Sequence, residues 1–339
     1  MGFYGVLGQE RPQQIILQAL ANEKLPHAYL FYGEDSVGKK KIAWELVKAL
    51  NCEAREEQGA CGRCGPCLKI EKNQHPDVHF LEPKKSSPTA RMSSIKIEPL
   101  RELQQRLSFQ SYEGHYKAAI IDGADLMNPQ AANSFLKTLE EPPARTIFIL
   151  IASNPHNLLP TIVSRCQGIR FLPLSPGDVR QIIAQQVEQG NLEIDEGELE
   201  LRALRSGGRI EAALDEDLLR ICERRGEFLN LIQNVSFDHM SKIFEWCKVV
   251  AKQTDDLPAC LREIAHLLRD LAILKSCGET GAIVNADMRD ELLAVAETKS
   301  LETLLRMFQS VSKTLFDLKF NFNVQLALES MLIDFCEAA

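Results

Sequence analysis

The chain has 339 residues, 45% of them apolar and 25% charged, which argues against wholesale disorder and is too long for one ordinary core. No apolar stretch approaches the ~18 residues of a membrane span, and the first residues lack a basic segment followed by an apolar core, so a cytoplasmic location is expected. Net charge is −8, with 21 Lys+Arg against 18 Asp+Glu in residues 1–170 and 18 against 29 beyond. That balance disfavours a strongly basic nucleic-acid binder and suits a helical second half with solvated acidic faces.

In chain order, Ile15, Ile16, Ala19 and Leu20 predict a helix over 12–21. His27–Tyr32 reads as a buried strand stopped by Gly33, and residues 39–50 return to helical period. Val78–Leu81 is a second strand. Residues 83–99 are polar and bounded by proline, and read as a mobile loop. Leu100–Leu107 predicts a helix. Ala118–Ile121 and Thr146–Ala152 are further strands, separated by a helix capped by Asn128 with Pro129 at its first position. Ile169–Leu172 is the last strand. Five strands alternating with helices predict a mainly parallel five-stranded α/β sheet with helices on both faces. The pattern changes at Pro173. Ser175 and Asp178 have capping-box spacing, Asp195 and Glu198 open another helix, and Gly207-Gly208 breaks the chain before Ile210–Leu214. The expected division is an α/β module over 1–172 with an insertion at about 52–67, a small helical region over 173–216, and an all-helical domain over 217–339.

Gly33-Glu-Asp-Ser-Val-Gly38-Lys39-Lys40 follows a strand and opens a helix, the context of a phosphate-binding P-loop. Backbone N–H groups at the helix start can cradle phosphate, and Lys39 can reach the β/γ-phosphates. The motif places Ser or Thr after this lysine to hold Mg²⁺. Here the residue is Lys40, which has no acceptor and repels the metal. Ala118–Asp122 has the form of a Walker B strand ending in a carboxylate, but Gly123 stands where an active ATPase has its water-positioning glutamate. Nucleotide or anion binding is open, and hydrolysis by this chain is not expected.

Cys52, Cys61, Cys64 and Cys67 lie within 16 residues, beside Gly59, Gly62, Gly65 and Pro66. Four thiolates at these spacings point to a structural zinc, with a disulfide, a redox pair or a nucleic-acid contact as the other readings. Cys166, Cys222, Cys247, Cys260, Cys277 and Cys336 are scattered singly and read as reduced core thiols. Arg165, in the turn Thr161–Cys166, can be an ordinary surface ion pair. Beside a defective nucleotide site, it can also act on a neighbouring subunit's phosphate.

The segments Leu25–Phe31, His75–Val78, Ala132–Pro143 and Leu159–Cys166 strongly resemble bacterial clamp-loader subunits of the AAA+ class, most nearly the delta-prime subunits of DNA polymerase III. The resemblance is dense over residues 1–216 and weaker at Asn321–Glu329. It implies a RecA-like AAA+ module, a helical lid and an all-α C-terminal collar. It implies that Arg165 is an arginine finger acting in trans, that the four cysteines form the family's zinc module, and that Lys39 is the Walker A lysine. Ser153 or Asn154 falls at the sensor-1 region, and Glu211, with Arg209 nearby, at the sensor-2 position. The implied function is a non-hydrolysing subunit of a hetero-oligomeric ring with motor subunits and a clamp-opening subunit. Through that ring it would meet the sliding clamp and primer-template DNA, with no membrane involved. An active clamp-loader ATPase subunit is the alternative.

Overall fold

Thr146–Ala152 is buried along its whole length, as a strand covered on both faces must be. The computed structural model describes all residues except 1, 2, 4, 86–92, 191, 193, 216–219, 221, 222, 252–256, 279–282, 319–322 and 339. Its strands are β1 (Ala28–Tyr32), β2 (Val78–Leu81), β3 (Lys84–Lys85), β4 (Ser93–Ser94), β5 (Lys117–Ile121), β6 (Thr146–Ala152) and β7 (Gln167–Arg170). Five of them form a sheet in the order β2-β5-β6-β1-β7, and every pairing in it is parallel. Strand alternation divides the core. Tyr29, Phe31, Ile147 and Ile149 face one side, with Ile16 and Leu20 of α1 (Glu10–Ala21) and Ile42, Leu46 and Val47 of α2 (Lys39–Asn51). Leu30, Phe148 and Leu150 face the other. There they meet Leu100, Leu103 and Leu107 of α4 (Ile97–Ser108) and Phe135 and Leu139 of α5 (Pro129–Glu140). The short α3 (Gly65–Glu71) follows α2. This is the expected RecA-like AAA+ arrangement.

Two boundaries differ from the sequence reading. The last strand is β7 at Gln167–Arg170, two residues earlier than expected, because register with Tyr29–Tyr32 of β1 sets it. Phe171 makes one final bond to the Tyr32 carbonyl. The segment 83–99 is not a loop throughout. Lys84–Lys85 pairs antiparallel with Ser93–Ser94. Ile95 is buried, its N–H bonded to the Leu126 carbonyl and its carbonyl to the Asn128 N–H. The burial of that side chain anchors this end of the stretch.

After α6 (Pro160–Val163) and β7 come α7 (Pro176–Glu188), α8 (Glu196–Arg205) and α9 (Ile210–Leu214). The Ser175–Asp178 capping box is formed reciprocally, and the Asp195 carboxylate accepts from the Glu198 N–H. Met1–Ala213 is one compact unit and Leu214–Ala339 a second. The second is helical: α10 (Arg225–Asn234), α11 (Met240–Val250), α12 (Leu257–Cys277), α13 (Arg289–Thr298), α14 (Leu301–Asp317) and α15 (Val324–Ala338). Leu261, Ile264, Leu268, Leu304, Met307, Val311, Leu332 and Phe335 share its core. Asp270 is fully buried there and accepts from the Val284 and Asn285 N–H groups. Cys247, Cys260 and Cys336 are core thiols as expected. Cys166 is half-buried and Cys277 is exposed, against that reading. Cys222 and Asn321 lie outside the described residues. No helix among the described residues is long and apolar enough to cross a membrane.

The His75-Pro-Asp77-Val78 segment fastens the sheet's lower edge. The Asp77 carboxylate accepts from the N–H groups of Tyr112, Glu113 and Gly114 at 2.7–2.8 Å. Burial pushes its carboxyl up, but these three donors outweigh burial and hold it below the usual carboxylate range. Asp77→Ala leaves three donors without their acceptor and should lower the free energy of unfolding by about 2–4 kcal/mol at pH 7 in urea titrations. Because the folded value is depressed, that contribution is full above about pH 4 and is lost as pH falls through the folded value, so the two proteins should converge in acid.

Candidate phosphate loop, thiolate cluster and arginine

The loop between β1 and α2 opens on Gly33 and closes on Gly38, whose φ values of 145° and 99° fall where an L side chain is strained. A Cβ on Gly33 would lie 2.2 Å from the Phe171 carbonyl oxygen. Lys39 is buried, and its ammonium donates to the Gly33 and Glu34 carbonyls. Burial lowers its pKa against the raising effect of Asp35, Asp122, Asp125 and Glu34. The Ser153 hydroxyl donates to the Asp35 carboxylate, and the Asn154 N–H to Asp125 at 3.1 Å. Both candidates for the sensor-1 position, Ser153 and Asn154, therefore touch acids around the loop. The first N–H of α9, Ile210, donates to the Ser36 carbonyl at 2.9 Å. Arg209 and Glu211 flank that contact, with Glu211 exposed.

Asp122 stands just beyond β5. Its Oδ2 is 3.6 Å from the Lys40 ammonium, which also lies 4.2 Å from the centre of the Phe80 ring on β2. Burial raises the Asp122 pKa, while Lys40 acts to lower it. A divalent cation fits this arrangement poorly. The residue that supplies a metal-binding hydroxyl in an active P-loop is here a cation paired with the remaining carboxylate. Gly123 has φ 66°, and a Cβ there would lie 3.1 Å from Pro83, so a side chain at the water-positioning place would be strained.

Arg165 follows the single turn of α6. Its Nη1 donates to the Thr161 carbonyl at 2.9 Å and its Nη2 to Glu140 Oε1 at 2.6 Å. The side chain remains about one-third exposed, at 34%.

The sulfur atoms of Cys52, Cys61, Cys64 and Cys67 all lie within 4.8 Å of one another. A zinc ion with ~2.3 Å bonds to four sulfurs needs edges of roughly 3.8 Å, and the Cys52–Cys64 pair stands at 3.9 Å. The Cys61 N–H donates to the Cys52 sulfur at 3.3 Å. Backbone donors at Arg63 and Cys64 bring the Cys61 thiol down to about 6, whereas burial pushes Cys67 up. The residues fit a zinc ion with a full protein shell, which leaves no position for a reactive water. Lys48 of α2 bridges Glu45 and Glu71, tying the following α3 back onto α2.

Gln9 carries a role that the sequence reading missed. Its side-chain amide donates to the Val37 and Leu172 carbonyls and accepts from the Leu172 N–H. It thereby links the phosphate loop to the end of the sheet. The one signal was Gly8 before it, since Gly8 and Gln9 both have positive φ at the start of α1.

Two family models match the chain: DNA polymerase III, delta subunit, over residues 8–175, and DNA polymerase III subunits gamma and tau domain III, over residues 222–339. The chain belongs to the delta-prime and gamma/tau family of DNA polymerase III clamp-loader subunits. It is 38% identical over 180 residues to the delta-prime subunit of Bacillus subtilis, covering 52% of each chain. It is 25% identical to the tau subunit of the same organism, over 99% of this chain and 62% of that one. The chain thus spans less than two thirds of these relatives. A gamma subunit-related protein from Thermotoga maritima aligns over 96% of this chain and 98% of its own, at 18% identity and a TM-score of 0.40.

Elemental analysis of this clamp-loader family member should find about one zinc per chain. Cys64→Ser should lose the metal and expose residues 52–67 to protease, since that stretch has little core of its own. A metal-free protein with four titratable thiols would count against the site.

Proposed function

We propose that the chain is a non-hydrolysing clamp-loader subunit of the delta-prime type. It would join ATPase motor subunits and a clamp-opening subunit in a ring, help load the sliding clamp on primed DNA, and present Arg165 to nucleotide bound by a neighbour. The observation that carries this reading is the Lys40–Asp122 pair, 3.6 Å apart. Phosphoryl transfer needs a metal, a positioned water and charge stabilisation together. Here the carboxylate faces a fixed ammonium, and Gly123 offers no group to hold water. Lys39, the loop N–H groups and the start of α2 can still take up an anion or a nucleotide. The arginine supplies what the chain's own site cannot use: a permanent positive charge on a side chain about one-third exposed, outside its own phosphate loop. In this reading residues 1–172 are the AAA+ module, 173–216 the lid and 217–339 the collar that holds the ring. The thiolate cluster holds zinc as a staple.

A second reading has two findings in its favour. The match to the tau subunit runs the whole length of the chain, and the C-terminal family model is that of gamma and tau. An active ATPase subunit would turn over ATP alone and lose that activity on Lys39→Ala.

Steady-state ATP turnover separates the two. The chain alone should be inactive, and Lys40→Thr should not restore activity, because Gly123 still leaves water unpositioned. Turnover by that single variant would show the Walker B argument to be wrong. In a ring rebuilt with cognate motor subunits, Arg165→Ala should leave assembly by gel filtration intact and lower turnover.

A further inference from the structure

Two sequence motifs meet at one ion pair. Leu139-Glu-Glu-Pro-Pro143 ends α5, and Ser164-Arg165-Cys166 follows α6. Pro142 bars Glu141 from helical geometry, and its φ and ψ are −123° and 72°. Glu140 is therefore the last helical residue, and its carboxylate is set beside the Arg165 guanidinium at 2.6 Å. A second anchor comes from α6, whose Thr161 carbonyl accepts from the other terminal nitrogen at 2.9 Å. A guanidinium is planar, so acceptors on its two terminal nitrogens fix both its position and its plane. Among the described residues, these two contacts engage two of its five N–H donors. The remaining donors can address a phosphate on another chain. Without such anchors, a one-third-exposed arginine would spread over many rotamers.

We propose that Glu140 is the positioning residue for Arg165, holding the guanidinium in the orientation in which it meets the neighbouring subunit's nucleotide phosphate. This rests on the trans role of Arg165. In this role Glu140 acts through the arginine and not on the nucleotide itself. Its charge stands at the C-terminal end of α5, where the helix dipole disfavours a carboxylate. The arginine offsets that, and removing the charge should not weaken the helix.

The test is a comparison of Glu140→Gln, Arg165→Ala and the double variant in the rebuilt ring, with kcat and KM for ATP measured separately. Arg165→Ala should lower kcat. Glu140→Gln should reproduce about half or more of that loss with KM for ATP unchanged and an unaltered melting temperature, and Glu140→Asp should recover part of it. The double variant should match Arg165→Ala alone, because nothing remains for Glu140 to position. If Arg165→Ala lowers kcat and Glu140→Gln does not, or raises it, the positioning role is overturned and the trans arginine stands. If Glu140→Gln lowers kcat equally in the Arg165→Ala background, Glu140 acts by another route and the proposal fails. If Arg165→Ala itself changes nothing, both the arginine's role and this proposal are refuted.

Discussion

At the carboxyl end of β1, three segments meet in a space too small for one methyl group. Gly33 turns the chain out of the strand with its α-carbon against the Phe171 carbonyl. Gln9 spans the same gap, holding Val37 on one side and Leu172 on the other. From there the chain runs on to Leu174, whose N–H bonds the Gly208 carbonyl. A Cβ on Gly208 would lie 2.5 Å from that same backbone. The phosphate loop, the exit from the sheet and the helices after Pro173 are thus one mechanical joint. A side chain at Gly33 or Gly208 would overlap the backbone of the neighbouring segment, so the three segments are close-packed here.

The chemistry around that joint follows from charge. Lys39 is enclosed and turned onto loop carbonyls, and Lys40 lies between an aspartate and an aromatic face. Asp35 is tied to Ser153. A site whose lysines are already engaged by its own carbonyls and carboxylate has less to gain from a metal–nucleotide pair than one that awaits both. The arginine stands apart from this balance, on a different turn and anchored by a different carboxylate. One chain therefore carries a phosphate loop whose two lysines are engaged within it and an arginine held apart by a separate acid.

Much of this was legible in the sequence, for identifiable reasons. β1 and β6 declare themselves because strands buried on both faces must be apolar at every position. The phosphate loop and the four cysteines declare themselves because short-range spacing sets their geometry. The end of the sheet was misplaced by two residues because Tyr32, far away in sequence, fixes the register of β7. The order at Ser93–Ile95 is not legible locally, because Ile95 is held by backbone bonds to Leu126 and Asn128, about thirty residues further on. The Lys40–Phe80–Asp122 cluster was illegible for the same reason. Its members belong to α2, β2 and the end of β5, and only the strand order β2-β5-β6-β1-β7 brings them together. Gln9 looks like any polar residue ahead of a helix until its three backbone partners are placed.

One helix separates the two features that bind or are built to bind charge. The phosphate loop sits at the start of α2 and Cys52 directly follows its last residue, so thirteen residues, roughly 20 Å of helix, stand between them. A chelator added to remove magnesium from a ring of such subunits reaches both ends of this rod. In the ring proposed above it would withdraw the magnesium of hydrolysing neighbours, and it would also strip a zinc ion held by the four cysteines. Lost turnover after chelation would then report two separate events, which readdition of magnesium alone and of zinc alone would resolve.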